Sequence, residues 1–398
     1  MNKIKVLIYS DYWKFKSGFA REIKDVIPRF IKAGHDVRHV ALGYNGYPRD
    51  NDIQVYHTKT PEVKDYYAQE VLHYAIDDFK PDIVLTVNDF FMLPKISFTL
   101  AHPGNFKWIH WGVTDSDPLD FYSRESLNWM HYCFFQSHFA AIECKLVNPA
   151  LMGEVIYPSV DPKIFHKIED KQTLKAKYKL DTFNVLICNA RGQQRKNVPI
   201  LLDAFKEVLK EIPNAVLILS SGISNTKTDE NKLDGYDLDR FVSELGLTDY
   251  VLLPRSINRG PIDDDTLNIQ YNLADINITP SWGEGISLAT IEAGNCEVPT
   301  IATDCSALHE TVKDRGILVK PKTYVYNLDG SRYWLLDHMD LKNAIVDLLK
   351  DEKKRLEYGK AAFEFAKKLT PESRAKLMLD RFEILLRYNA QPAARRKV

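Results

Sequence analysis

The sequence has few cysteines, no long apolar segment and no excess of either charge. Its five cysteines are scattered and form no C-x-x-C pair, which argues against a disulfide framework and a structural zinc site. No apolar run approaches the ~18 residues of a membrane-spanning helix. With 53 Lys and Arg against 54 Asp and Glu, the net charge of −1 disfavours a strongly basic nucleic-acid-binding protein. These features predict reduced thiols in a cytoplasmic protein.

What the sequence does contain is typical of a globular enzyme with parallel sheets. Its 398 residues, at ~150 per domain, favour two domains. Short apolar runs alternate with amphipathic stretches, a rhythm that predicts helices covering both faces of a parallel sheet. The rhythm restarts after Pro158, so we expect two doubly wound halves. The predicted strands are residues 4–10, 36–42, 83–87, 107–110, 132–136, 185–190, 215–220, 251–253, 276–279, 300–303 and 316–319. The predicted helices are residues 19–33, 199–211, 268–274, 287–294 and 371–388.

The domain boundaries follow from this alternation. We expect an N-terminal domain over residues 1–160 and a C-terminal domain over residues 161–370. Residues 371–398 are predicted as a last helix and a basic tail. The aromatic-rich residues 320–340, which include Gly330, are predicted as a long inserted loop. Ligands of open α/β sheets bind beyond the carboxyl ends of the strands, so the chemistry is expected in a deep cleft between the halves.

The most informative connection lies within residues 279–294, where a strand gives way to a helix. Gly283 and Gly285 permit a tight turn with close backbone approach, and Ser287 is a suitable helix cap. The free N–H groups of the new helix would form an anion site that suits a phosphate.

Two carboxylates accompany this anion site. Glu292 lies about one turn into the helix and is suited to hydrogen bonds from a ribose diol, and Glu284 in the turn is suited to sugar hydroxyls. The alternative is an ordinary strand-to-helix turn with two solvated glutamates.

A second connection, residues 189–197, is rich in cations. Arg191 and Lys196 flank its mouth, with a predicted cap at Asn197, and two neighbouring cations suit a diphosphate leaving group. A solvated basic loop is the alternative, and Arg195 is assigned to that solvated kind.

The first half offers weaker candidates. Gly18 precedes the first long helix, where backbone amides would face a phosphate, although an ordinary turn fits equally well. His110 is predicted to end a strand and is a candidate for a hydrogen bond to a sugar hydroxyl or for a transferred proton. Asp89 is predicted to follow a strand and is a candidate for orienting an acceptor hydroxyl. A structural histidine and a capping aspartate are the alternatives. The acidic clusters at residues 115–117 and 263–265 are interpreted as solvated loops rather than metal sites, the second also resembling a helix start.

These residues resemble the retaining nucleotide-sugar glycosyltransferases of family 4, in the glycogen-synthase and mannosyltransferase-like superfamily with the GT-B fold. Two glutamates separated by seven residues, Glu284 and Glu292, match its signature. Arg191 and Lys196 resemble its diphosphate-binding pair, and His110 falls where the family has a histidine near the donor sugar. The other matching segments are residues 34–37, 157–165, 274–281 and 298–303.

The resemblance implies two Rossmann-like domains facing across a cleft, with the last helix crossing back to the first. It implies a UDP- or GDP-sugar as donor substrate, no further cofactor, no bound metal and retention of anomeric configuration. Glu292 would hold the ribose, and Arg191 and Lys196 the leaving diphosphate. The donor sugar and phosphate would meet Glu284 and the backbone amides of Gly285, Ile286, Ser287 and Leu288. The base would lie near Ser221, Gly222, Arg255, Ser256 and Ile257.

The acceptor is not readable from the sequence. A glycan or lipid-linked hydroxyl is the default, and no obligate protein partner is evident. A nucleic-acid base has only the basic cluster Lys14, Lys16, Arg21 and Lys24 to support it, and that cluster equally fits an anionic membrane surface or a solvated face. A phosphorylase, a nucleotide-sugar epimerase or a non-catalytic binding protein on the same scaffold are the alternative functions.

The chain departs from the family pattern at several positions. A serine and a glycine, Ser17 and Gly18, replace two adjacent glycines, and Ile286 to Leu288 replace the usual Phe-Gly-Leu. Pro158 and Ser159 stand where the family has Asn-Gly, and residues 322–340 are not a general family feature. These differences concern the donor sugar and the acceptor more than the nucleotide-sugar class.

Overall fold

The computed structural model describes residues 3–15, 17–44, 46, 49–50, 53–57, 67–101, 105–220, 235–253, 262–388 and 392. The chain forms two compact α/β units. The first comprises Met1–Ser159, Leu328–Ser331 and Pro371–Val398, and the second comprises Val160–Asn327 and Arg332–Thr370.

The first unit is built on an eight-stranded sheet. Its strands are β1 (Lys5–Asp11), β2 (Asp36–Leu42), β3 (Arg49–Asp50), β4 (Ile53–His57), β5 (Ile83–Asp89), β6 (Lys107–Val113), β7 (Tyr132–Phe135) and β8 (Gly153–Val155). Their order is β3-β4-β2-β1-β5-β6-β7-β8, and every pairing is parallel except β3 with β4. The helices that follow these strands are α1 (Gly18–Lys32), α2 (Gln69–Phe79), α3 (Leu93–Ala101) and α4 (His138–Val147).

Hydrophobic patterning explains the layers of this unit. The interior residues of β1 are buried on both faces of the sheet, as a central parallel strand requires. Helix α1 buries Ile23, Val26, Ile27 and Phe30, which recur at helical spacing. Gly34 follows the helix with a φ of 92°, which confirms the predicted stop because glycine adopts this conformation without steric cost.

The second unit repeats the architecture with a six-stranded parallel sheet. The strands of the parallel sheet are β9 (Asn184–Cys188), β10 (Ala215–Leu219), β11 (Val251–Leu252), β12 (Ile276–Thr279), β13 (Thr300–Thr303) and β14 (Gly316–Val319). Two further strands of the unit are β15 (Thr323–Tyr326) and β16 (Arg332–Leu335). Its helices are α5 (Lys171–Lys177), α6 (Val198–Glu211), α7 (Leu238–Glu244), α8 (Asp264–Leu273), α9 (Leu288–Asn295), α10 (Ser306–Val312), α11 (His338–Lys350) and α12 (Glu352–Ala366). The sheet order is β11-β10-β9-β12-β13-β14, and β15 and β16 form a separate pair.

The prediction of a long loop over residues 320–340 is wrong. Strands β15 and β16 form an antiparallel hairpin in which Tyr324 pairs with Trp334. Aromatic and β-branched residues favour this pleated pairing, and Gly330 adopts the positive φ of 82° that the turn requires.

The last helix, α13 (Pro371–Arg387), belongs to the first unit. Phe382 packs edge-on against Phe30 of α1, with 5.7 Å between the ring centroids. Arg374 is buried, pairs with Glu22 and lies 4.8 Å from the ring centroid of Trp111. Helix α13 therefore completes the hydrophobic core of the first unit, which is otherwise formed by residues of the first 159 positions.

Candidate functional site

The second sheet changes direction between β9 and β12. These strands are neighbours, with Ile276 opposite Leu186, yet the chain proceeds from β9 to β10 on one side and from β12 to β13 on the other. The connections after β9 and β12, residues 189–197 and 280–287, consequently leave the sheet side by side at its carboxyl edge. Open α/β sheets bind ligands at such a switch point.

Helix α9 begins at this switch point with its N-terminus at the carboxyl edge of the sheet. Ser287 is its cap, and the hydroxyl accepts a hydrogen bond from the backbone N–H of Thr290 at 3.4 Å, as predicted. Ile286 and Leu288 pack against the hydrophobic core, which anchors the first turn. Gly283 and Gly285 are buried, and neither adopts a positive φ. The turn therefore does not use the left-handed conformation that glycine makes accessible.

Glu284 lies in the same connection as a buried, charge-paired carboxylate. Its Oε1 accepts from Lys196 Nζ at 2.5 Å and from the Ser281 hydroxyl at 2.6 Å, and its Oε2 accepts from Arg195 at 3.1 Å. Burial alone would raise the pKa of Glu284, but Lys196 and Arg195, with the hydrogen bond from Ser281, lower it to about 2. The carboxylate is therefore ionised at physiological pH.

The assignment of Arg195 to a solvated loop is wrong. Its side chain is only 23% exposed and donates to the Gly283 carbonyl as well as to Glu284. Its own carbonyl accepts from the Trp282 N–H at 2.9 Å, so the two connections are joined through both backbone and side chain. The inward turn is driven by a buried carboxylate that needs a charge partner.

The remaining residues of the cationic connection occupy different positions. Arg191 is exposed, whereas Lys196 is half-buried within a short 3₁₀ turn, Gln194–Lys196. Asn197 occupies the N-cap position of α6, as predicted, but its side chain makes no capping hydrogen bond. Its amide instead donates to the Pro280 carbonyl at 3.3 Å. Pro199 does stand in the first turn of α6.

Glu292 is held inside the second unit by two residues that the sequence interpretation did not single out. The Tyr271 hydroxyl donates to its Oε2 at 2.8 Å, and Asn189 Nδ2 donates to the same oxygen at 3.4 Å and to Tyr271 at 3.0 Å. Glu292 is 2% exposed. Tyr271 stands three residues before the Ala274-Asp275 lead-in to β12, a position that gave no functional signal of its own.

The first sheet has its own switch point, between β1 and β5. Ser17 and Gly18 follow β1, and the Ser17 hydroxyl caps α1 by accepting from the Ala20 N–H at 3.2 Å while donating to the Asp11 carboxylate. Asp89 is the last residue of β5 and is half-buried. These residues lie at the carboxyl edge where the sequence placed them.

His110 does not end its strand, because β6 continues to Val113. The side chain is fully buried, with Nδ1 2.9 Å from the Thr86 hydroxyl and the Phe90 ring against it. Burial lowers the pKa of His110 to about 3, so the imidazole is neutral at physiological pH. A neutral ring accords with a hydrogen-bonding role rather than with proton delivery.

Several predicted residues fall outside the described ranges, namely Lys16, Ser221, Gly222, Arg255, Ser256 and Ile257. Of the basic cluster, Lys14 and Lys24 are exposed, whereas Arg21 is half-buried beside the carboxylate of Glu22. Asp263 caps α8, accepting from the Thr266 N–H at 2.8 Å, which confirms the helix-start interpretation.

The described residues contain no group of three or more His, Cys, Asp and Glu side chains arranged to hold a metal ion. Within the same ranges, no helix has both the length and the apolar character needed to cross a membrane.

A known family model covers most of the second unit. Residues 183–351 match the family model described as Glycosyl transferases group 1. A 286-residue segment is 25% identical to the GDP-mannose-dependent alpha-(1-6)-phosphatidylinositol monomannoside mannosyltransferase of Mycolicibacterium smegmatis, covering 69% of this chain and 62% of that protein. The aligned part thus spans less than two thirds of that relative.

Solved structures show the fold. Sucrose-phosphate synthase from Thermosynechococcus elongatus aligns with a TM-score of 0.77 at 20% identity, over 96% of this chain and 99% of that one. Anabaena HepE in complex with UDP-glucose aligns with a TM-score of 0.71 at 15% identity, over 96% and 100%. These likenesses show that the chain has the GT-B fold, with two Rossmann-like α/β units.

Proposed function

We propose that this protein is a glycosyltransferase of family 4 that moves a sugar from a nucleoside-diphosphate sugar to an acceptor hydroxyl with retention of anomeric configuration. The observation that carries the proposal is the pairing of a cationic connection with the N-terminus of α9 at the switch point of β9 and β12. Three cations, Arg191, Arg195 and Lys196, follow β9 in this connection, and two of them pair with Glu284. This excess of positive charge suits the two negative charges of a nucleotide-sugar diphosphate.

The proposed roles of the donor-site residues are those that the resemblance to family 4 implies. Arg191 and Lys196 stabilise the diphosphate as it leaves, and the first-turn amides of α9 bind its oxygens. Glu292 receives the ribose diol, and Glu284 the hydroxyls of the sugar. Because the cations neutralise the leaving group, we propose that transfer does not require a divalent metal. Within the first unit, Gly18 is proposed for a phosphate, Asp89 for an acceptor hydroxyl and His110 for a hydrogen bond to a sugar.

The acceptor is proposed to be a glycan or a lipid-linked glycan. The Mycolicibacterium relative is named for a phosphatidylinositol mannoside, which is a lipid-linked sugar, and the HepE structure was solved with UDP-glucose. These names support an acceptor hydroxyl on a sugar and a UDP- or GDP-linked donor. A lipid-linked acceptor would bring the protein to a membrane surface.

Calorimetric titration with UDP, GDP, ADP and dTDP in the presence of EDTA tests the donor site. We expect binding of one nucleotide over the others. Glu292→Ala should weaken that binding by ~1–3 kcal/mol, because the ribose loses its charge-assisted hydrogen bonds. Glu297→Ala is the control, because the Glu297 carboxylate pairs with Lys167. This variant should leave the affinity unchanged.

Binding of none of the four nucleotides would contradict the proposal. Product analysis then separates the remaining functions. Incubation of UDP-glucose or GDP-mannose with oligosaccharide and glycolipid acceptors should yield an acceptor-dependent product whose anomeric configuration, read by NMR, matches the donor. Conversion of the nucleotide sugar without an acceptor would indicate an epimerase, and nucleotide-independent phosphorolysis would indicate a phosphorylase.

A further inference from the structure

Glu284 is paired with two cations that are held in very different ways. Lys196 reaches Oε1 with a single flexible side chain. Arg195 reaches Oε2 with a guanidinium that also donates to the Gly283 carbonyl, and its backbone carbonyl accepts from the Trp282 N–H. Arg195 is therefore fixed to the connection that carries Glu284, and this attachment does not depend on where the ammonium group of Lys196 lies.

The proposed function places opposing demands on Lys196. In the free protein its ammonium lies 2.5 Å from Glu284, but the proposed donor requires it at the diphosphate. When Lys196 turns to the phosphate, the carboxylate of Glu284, which is 5% exposed, loses its shortest ion pair. An unpaired buried carboxylate is costly and tends to take up a proton.

We propose that Arg195 is the positioning residue that keeps the Glu284 carboxylate charged and oriented toward the donor sugar while Lys196 is engaged by the diphosphate. This inference rests on the proposed function. It assigns the two adjacent cations separate tasks: Lys196 follows the phosphate, and Arg195 stays with the carboxylate. A permanently charged guanidinium with two anchored contacts suits the second task, because it neither deprotonates nor leaves.

The other groups around Glu284 cannot take over from Arg195. Ser281 donates a neutral hydrogen bond to Oε1, and the Ser306 hydroxyl of α10 accepts from the Glu284 backbone N–H. Burial raises the pKa of the Cys188 thiol, at the end of β9, to about 12, so it is neutral. Cys305 contacts the Trp282 carbonyl through Sγ. Among the described neighbours that these contacts identify, only Lys196 and Arg195 bring positive charge.

Proton uptake on donor binding tests this inference without requiring turnover. UDP-glucose and GDP-mannose are titrated calorimetrically at about pH 5.5 in two buffers of different ionisation enthalpy, and whichever binds the wild type is used. A nucleotide sugar has no phosphate proton that titrates near this pH. The wild type should bind with little proton uptake, because Glu284 remains paired with Arg195. Arg195→Gln should take up ~0.5–1 additional proton per bound nucleotide sugar, because Glu284 then loses both cations.

Three further variants identify the group that titrates. Arg191→Gln removes the same charge from the same connection but does not remove a Glu284 contact, so it should weaken binding without additional proton uptake. Arg195→Gln combined with Glu284→Gln should lose the additional uptake. Arg195→Lys keeps a charge beside Glu284 and should resemble the wild type in proton uptake. Thermal unfolding shows whether each variant is folded. If Arg195→Gln does not fold, the proton uptake of Arg195→Lys and Arg191→Gln is compared with that of the wild type. Additional uptake by either variant would then contradict the inference.

The outcomes separate the two proposals. If neither nucleotide sugar binds the wild type, the proposed donor site is overturned and Arg195 has no such task. If the wild type binds but Arg195→Gln and Arg191→Gln take up equal numbers of protons, the role of Arg195 is overturned while the proposed function stands. Uptake that persists when Glu284 is also replaced would likewise contradict the inference.

Discussion

His110 and Glu284 are buried ionisable residues whose pKa values both fall, for different reasons. The described contacts of His110, Thr86 and Phe90, carry no charge, so burial alone disfavours the imidazolium. Glu284 is also buried, but its two cationic partners outweigh the effect of burial and favour the charged form. A single side chain therefore takes the charge state that its immediate partners allow.

The buried imidazole of His110 predicts a pH dependence of stability. Its pKa of about 3 in the folded protein lies below the value of 6.5 expected in the unfolded chain. The unfolded state therefore binds more protons between these values, and stability falls as the pH is lowered through this window. From pH 7 to pH 5 the contribution of this residue should fall by about 2 kcal/mol. Urea unfolding at the two pH values measures it.

His110→Gln should reduce the difference between the two pH values, because glutamine does not titrate. His73→Gln is the matched control: His73 is 68% exposed, and its replacement should leave the wild-type difference unchanged. Equal pH dependence in His110→Gln and the wild type would show that His110 is not the titrating group.

Residue types and their order along the chain were sufficient to predict which side chains collect at the carboxyl edge of the second sheet. Glu284, Lys196 and Ser287 follow β9 and β12, and parallel strands that are neighbours bring such connections together. Arg195 was misjudged because a basic residue in a polar connection is usually solvated. The inward turn of Arg195 depends on the positions of the Gly283 carbonyl and the Glu284 carboxylate, which no local sequence pattern encodes.

At the scale of elements, the strands of the second unit were predicted more accurately than its other parts. Residues 276–279, 300–303 and 316–319 are strands with the predicted bounds, because each is a short apolar run between polar residues. The β15 and β16 hairpin was missed although its residues favour strands, because β15 is exposed throughout and shows no alternation of buried and exposed positions. Helices α11 and α12 were not predicted either, although α11 buries a clear stripe of aliphatic side chains.

The cap of α9 leads to a prediction about an element end. Ser287→Ala removes the hydroxyl that accepts from Thr290 and should cost about 1 kcal/mol of stability. It should also weaken nucleoside diphosphate binding, because the first-turn amides proposed to bind phosphate lose their fixed orientation. Calorimetry and thermal unfolding measure the two effects.

Asp170→Ala provides the matched control, because Asp170 caps α5 of the same unit by accepting from the Thr173 N–H at 2.9 Å. It should lower stability without changing nucleotide affinity. A Ser287→Ala protein that binds nucleotide as tightly as the wild type would separate the α9 N-terminus from the phosphate site.

At the scale of the whole molecule, the first unit is assembled from both ends of the chain. Strands β1 to β8 come from the first 159 residues, and α13 from residues beyond 370 packs into their core. Local periodicity predicted α13 as a helix, but the core that it joins is a contact between residues more than 300 positions apart. Such pairings lie outside local pattern analysis, and only the resemblance to the GT-B family supplied this expectation.

Phe382 makes the dependence on α13 measurable. Its ring is fully buried and contacts Phe30 and Phe134, so Phe382→Ala should destabilise the first unit by ~3–5 kcal/mol through the cavity it leaves. Ile384→Ala, on the same helix but 40% exposed, should cost less than about 1 kcal/mol. Hydrogen exchange should show faster exchange in β1 and β5 of Phe382→Ala and unchanged protection in β9 and β12. Equal loss of protection in both sheets would mean that the two units unfold as one, whereas loss confined to the first sheet would establish that α13 stabilises the unit that it completes.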